Sequence, residues 1–88
     1  MYADKLKRAI FESGLSLNEI SVLLKKRGFK TQKSYLSKLQ NGRIPPASPN
    51  LNKALASVLA LDYDDLQVAA YKEKIPKDIL DRFSNTSA

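Results

Sequence analysis

Apolar residues recur at three- and four-residue spacing along most of the chain, and each periodic stretch is closed by glycine, proline or a capping hydroxyl. Leu6, Ala9, Ile10 and Ser13 share one stripe and predict a helix over residues 3–13. Gly14 supplies the left-handed residue that ends it, with Leu15 just beyond. Ser16 and Glu19 have the spacing of a capping box, and Leu15 and Ile20 that of a hydrophobic staple. The second helix is therefore expected over 17–27, with Leu17, Ile20, Leu23 and Leu24 inward and Gly28 as its stop. After "GFK" comes a short third helix, for which Thr31 and Gln32 are alternative N-caps. Leu36 and Leu39 face inward, Tyr35 sits at the edge, and Asn41-Gly42 closes it.

Ile44-Pro45-Pro46 forces an extended loop, because a residue before proline is pushed out of the helical region. Ser48-Pro49 reads as an N-cap followed by proline at the first helical position. The fourth helix turns Leu51, Leu55, Val58 and Leu59 inward. Asp62 caps a fifth, whose inward residues are Leu66, Val68 or Ala69, and Ala70. Pro76 opens a final short segment, "PKDILDRF", where Ile75, Ile79, Leu80 and Phe83 are apolar. No stretch alternates with a period of two between turn signals, so the expected class is all-α. The reading is a compact five-helix domain over residues 1–72, a short sixth helix over 73–83, and a disordered polar tail over 84–88.

Composition narrows what such a domain does. A chain of 88 residues folds as one small domain and buries roughly 60–65% of its unfolded surface. It has no Cys and no His, which excludes a disulfide framework, the common zinc sites, and the Ser-His and Cys-His nucleophile pairs. No cofactor, metal or enzymatic activity is expected. The longest mostly apolar run, "ALASVLAL", is too short to span a bilayer, and "MYADKLKRAI" has no apolar signal core. A cytoplasmic protein without membrane contact is the expectation.

Charge changes the picture most. The net value is +6, and between Glu19 and Asp62 there is no acid. That interval contains Lys25, Lys26, Arg27, Lys30, Lys33, Lys38, Arg43 and Lys53. Basic runs often form nothing more than a solvated face, but segregation on this scale builds one positive side suited to a polyanion. The acids Asp62, Asp64 and Asp65, with Glu73, imitate a calcium loop only superficially. Leu66 and Gln67 stand where that loop needs an oxygen ligand and a glycine, and helix capping already explains the acids.

Two helices joined through a glycine-containing turn, the second short and basic, describe a helix-turn-helix over about residues 17–41. In that device the second helix enters the major groove of double-stranded DNA while flanking groups hold phosphates. Lys33, Lys38 and Gln32 are the long donors for one side of such a helix, and Leu36 and Leu39 fix the other side. Ser34, Ser37 and the amides at helix starts, Thr31 among them, suit phosphate oxygens. Lys25 and Lys26 can complement the helix dipole and contact phosphate together.

The stretches "GLSLNEIS", "SYLSKLQNGR" and "LNKALASVLALDYDDL" resemble the Cro/repressor-type helix-turn-helix family of bacterial and phage regulators, also called the Xre family. The resemblance covers nearly everything from Lys5 to Ala70, and "YLSKLQNG" before a proline-bearing loop is its most specific part. It implies a five-helix fold, transcriptional repression through sequence-specific DNA binding, and a homodimer on a pseudo-palindromic operator. By the same resemblance Lys33, Ser34 and Lys38 fall at base-reading positions. Ser37, Asn41 and the Gly42 amide fall at phosphate-holding ones, and Arg43 near the backbone or minor groove. The sequence departs from the family at Leu17, where glutamine is common, and in the long connection "VLLKKRGFKTQ" after Ser21. A dimer seam is expected at Ile75, Ile79, Leu80 and Phe83. The alternative function is a protein-interaction module, antitoxin-like or adaptor, built on the same helices.

Because no Cys or His contributes, folding is expected to need neither metal nor reductant. A thermal melt followed by helical circular dichroism should have the same midpoint with and without chelator.

Overall fold

The computed structural model describes residues 1–74. Five helices follow one another: α1 (Tyr2–Ser13), α2 (Leu17–Lys26), α3 (Lys33–Gln40), α4 (Pro49–Leu59) and α5 (Tyr63–Lys74). Among the described residues there is no strand, and no helix is long and apolar enough to cross a membrane. The separate C-terminal helix, the tail and the seam residues Ile75, Ile79, Leu80 and Phe83 lie outside the described residues.

The helix starts follow the sequence signals closely. Ser16 Oγ accepts the Glu19 amide at 3.0 Å while Glu19 Oε1 accepts the Ser16 amide at 3.0 Å, closing the capping box. Ser48 Oγ accepts the Leu51 amide, with Pro49 in the first turn. Asp62 Oδ1 accepts the amides of Asp64 and Asp65 at 2.8 and 3.2 Å. For α3 the N-cap is Gln32 and not Thr31, and its side chain makes no capping bond.

The helix ends share one device. After α2, the Phe29 amide reaches back to the Leu24 carbonyl and Gly28 to Lys25, both at 3.0 Å, with Gly28 at φ +90°. This places Arg27 outside the helix as its cap, one residue short of the predicted end. It also swings Phe29 back onto the core. After α1, the Ser13 hydroxyl replaces the longer of these bonds: it accepts the Leu15 amide and donates to the Ile10 carbonyl. After α4 the left-handed position is filled by Ala60, at φ 54°, and the Leu61 amide bonds Ala56 at 2.8 Å.

The core gathers Leu6, Ile10, Ile20, Leu24, Leu36, Leu39, Leu55 and Leu66 around the crossing of all five helices. Leu17 and Val58 are only partly buried at its margin, and on α5 the inward residue is Ala69, leaving Val68 53% exposed. A helix of period 3.6 turns Ala69 and Ala70 to the same face as Leu66 and puts Val68 on the opposite one. α5 runs past residue 72 to Lys74, with no Gly or Pro between Tyr63 and Ile75, and Glu73 Oε1 accepts the Tyr2 amide at 2.9 Å.

One buried polar residue stands in this core. Asn52 is 0% exposed; its Oδ1 accepts the Tyr2 hydroxyl at 2.6 Å, and its Nδ2 donates to the Ala47 carbonyl at 2.9 Å and Gln67 Oε1 at 3.0 Å. The Tyr2 oxygen in turn accepts the Ala47 amide at 3.4 Å. The network joins α1, the loop before α4, α4 itself and α5. Burial pushes the Tyr2 phenol up to about 12 from its ordinary 10.0, with the Ala47 hydrogen bond acting in the opposite direction.

Two outcomes follow from these features. Ala60→Gly should raise stability by about 0.5–1 kcal/mol in denaturant titration, since the relief of a left-handed alanine exceeds the entropy gained by the unfolded chain. Tyr2→Phe should cost about 1–3 kcal/mol at neutral pH, because it strands the buried Asn52 Oδ1. The raised phenol pKa makes the folded state the tighter proton binder. Its stabilisation is therefore full below pH 10 and lost as pH rises towards 12. Unfolding titrations of both proteins across that interval should show the advantage of the wild type over Tyr2→Phe shrinking.

Candidate functional site

The exposed side of α3 follows from where its two leucines go. Leu36 and Leu39 are 0% exposed, and Tyr35 packs against the core at the helix edge. With 3.6 residues per turn, Ser34, Ser37, Lys38 and Asn41 occupy the opposite arc, with Lys33 at its margin. Lys33, Ser34, Lys38 and Asn41 are exposed and Ser37 is half-buried, so the arc carries polar and basic groups with no large apolar side chain. Gln32, Lys25, Lys26 and Arg43 are exposed as well. None of these bases makes an ion pair with a described residue; the pair Arg8–Glu12, at 3.3 Å, lies on α1.

The C-terminal end of α3 is held by side chain and backbone together. Asn41 Nδ2 donates to the Ser37 carbonyl at 2.8 Å, which leaves one amide hydrogen free on the outer arc. The Arg43 amide returns to the Lys38 carbonyl at 2.9 Å and Gly42 to Leu39 at 3.3 Å, with Gly42 at φ +70°. The Gly42 amide, expected to hold a phosphate, donates to the Leu39 carbonyl at the helix end it terminates. A Cβ at Gly42 would meet only Ala3 Cβ at 3.5 Å, so the positive φ and not space requires glycine there.

Thr31 has its Oγ1 buried, with no hydrogen-bond partner among the described residues. Its amide donates to the Phe29 carbonyl at 3.1 Å, and its carbonyl accepts the Ser21 hydroxyl of α2. Ser21 thus clamps the long connection to α2, which sets where α3 begins. Lys7 is a residue that sequence reasoning missed. Its Nζ lies 3.4 Å from Asn41 Oδ1, which brings a cation of α1 to the end of α3. It lies outside the acid-free interval and thirty-four residues from Asn41, and nothing in the local pattern announces the contact.

Among the described residues no group of three or more His, Cys, Asp or Glu side chains is arranged to hold a metal ion. Compared with family models, with curated proteins and with solved structures, the chain matches none.

Proposed function

We propose that this chain is a sequence-specific double-stranded DNA-binding regulator, a repressor-type helix-turn-helix module in which α2 and α3 form the motif and α3 reads the major groove. The observation that carries the reading is the outward arc of α3, where Ser34, Lys38 and Asn41 are exposed and Ser37 is half-buried, beside lysines that make no ion pair with a described residue. A helix offered to DNA needs donors for base edges and cations for phosphates, and it needs a buried face that fixes its tilt. Lys33, Ser34, Lys38 and Gln32 take the reading role in this proposal. Lys25, Lys26, Thr31, Ser37, Asn41, Gly42 and Arg43 take the holding role, joined by Lys7.

A single helix of this length covers only a few base pairs, too few to be selective against a genome, so the proposal includes two copies on a pseudo-palindromic operator. The module is a binding protein in this reading and not an enzyme, and its work lies in the cytoplasm where the DNA is. A second reading, a protein-interaction module, draws on Phe11 and Val22, which are 86% and 51% exposed and lie outside α3. Recesses floored by Leu15 adjoin both residues.

Binding-site selection with variants separates reading from holding. Lys33→Ala and Lys38→Ala should each relax preference at particular bases by roughly 1–3 kcal/mol. Lys25→Ala, Lys26→Ala and Arg43→Ala should weaken all sequences evenly and reduce the salt slope by about one per lost phosphate contact. A saturated complex should sediment with two protein chains per operator. Selection that returns no preferred sequence for the wild type would overturn the proposal in favour of the protein-interaction reading.

A further inference from the structure

Asn41 and Gly42 form the one Asn-Gly pair of the chain, and both residues are exposed at the end of α3. The amide carbon of an asparagine side chain can be attacked by the backbone nitrogen of the next residue, and a Cβ on that residue ordinarily obstructs the approach. Glycine has none. Around Gly42 the space is open, since a Cβ added there would meet only Ala3 Cβ, at 3.5 Å. The Asn41 carboxamide is held from both ends. Its Nδ2 donates to the Ser37 carbonyl at 2.8 Å, and Lys7 Nζ donates to its Oδ1 at 3.4 Å. The Gly42 amide is held less firmly, by the Leu39 carbonyl at 3.3 Å. Asn41 has φ −96° and ψ 4°, so the Gly42 nitrogen reaches the carboxamide only when that peptide unit turns about ψ and gives up its bond to Leu39.

We propose that Asn41 is a deamidation site, a self-modification that the end of α3 gates and Lys7 promotes. When the Gly42 peptide unit turns, its nitrogen loses a proton to water and bonds Asn41 Cγ. Negative charge gathers on Oδ1, where the Lys7 ammonium already stands, and the tetrahedral carbon then expels Nδ2 as ammonia. The resulting five-membered succinimide takes up water and opens to aspartate or isoaspartate. One water enters and one ammonia leaves, and nothing is oxidised or reduced. The product carries a carboxylate where a donor stood, facing the Ser37 carbonyl and the negative end of the α3 dipole. It also repels the phosphate that Asn41 would hold, so conversion retires the DNA face of an ageing molecule. That consequence rests on the DNA-binding reading above; the modification itself does not.

Incubating the full-length protein in mildly alkaline buffer and mapping its peptides by mass spectrometry follows the modification without DNA. Asn41 should convert about tenfold faster, or more, than the exposed Asn18 and Asn50, which Glu19 and Leu51 follow. Lys7→Met should slow Asn41 several-fold in the folded protein, and Lys7→Arg should restore the rate. In urea the three proteins should convert alike, because Lys7 reaches Asn41 only through the fold. The converted protein, separated by ion exchange, should bind a selected duplex about tenfold more weakly than the unconverted one. Saturating duplex should slow conversion, because a phosphate on Asn41 holds the turn closed. Conversion at Asn41 in a protein that binds no duplex would uphold the modification and remove the DNA reading. If Asn41 converts no faster than Asn18 and Asn50, the proposal is overturned. Equal rates for wild type and Lys7→Met in the folded state would overturn the part given to Lys7, and unchanged duplex affinity after conversion would overturn its consequence for DNA.

Discussion

An eight-residue helix does not persist alone in water, because the cost of its first turn is never recovered over so short a length. α3 therefore exists only where Leu36 and Leu39 are inserted among the side chains of α1 and α2, and that insertion dictates everything its outer arc presents. Two leucines three residues apart fix both the rotation of the helix about its axis and its depth. Rotation by one residue would carry Lys38 towards the core and swing Leu36 onto the arc where Ser37 stands. The placement of the polar arc is thus a consequence of hydrophobic burial, and the reading role proposed for it inherits that rigidity.

The rest of the fold holds the platform against which α3 is pressed. α1 touches α3, α4 and α5, and its own position is secured at the Tyr2 end by Asn52 and Glu73 and at the Ser13 end by a hydroxyl relay. A fully satisfied buried amide is a demanding choice, since removing any one partner leaves a dry polar atom behind. In return it admits one relative placement of α1, α4 and α5, where leucine-on-leucine packing alone would tolerate small slips. Ala3, the next residue of α1, lies beside Gly42 at the end of α3, where an added Cβ would come 3.5 Å from its own.

Electrostatics and local satisfaction pull against each other in the α2–α3 connection. The lysines there repel one another in the absence of acids, and Thr31 keeps a hydroxyl without a partner, while elsewhere caps and helix ends are satisfied with little left over. The exposed Phe11 and Val22 carry no charge.

Most helix boundaries were legible in the sequence because they are written in local chemistry. Ser16 with Glu19, Ser48 with Pro49, Asp62, and the glycines at positions 14, 28 and 42 each act within a few residues of themselves. The inward residues of α3 and α4 were legible for the same reason, as was the segregation of basic charge. Tertiary structure decided the rest. Ala60 in the left-handed region, Asn52 in the core and the choice of Ala69 over Val68 depend on neighbours far along the chain, which no local pattern encodes. The occupied Gly42 amide, the buried Thr31 hydroxyl and the approach of Lys7 to Asn41 belong to the same class. The sequence by itself determined which segments become helices and which faces are apolar, since both follow from periodicity and capping. Only packing decided which polar groups remain free at the surface, because a donor is free or taken according to what the folded chain brings beside it.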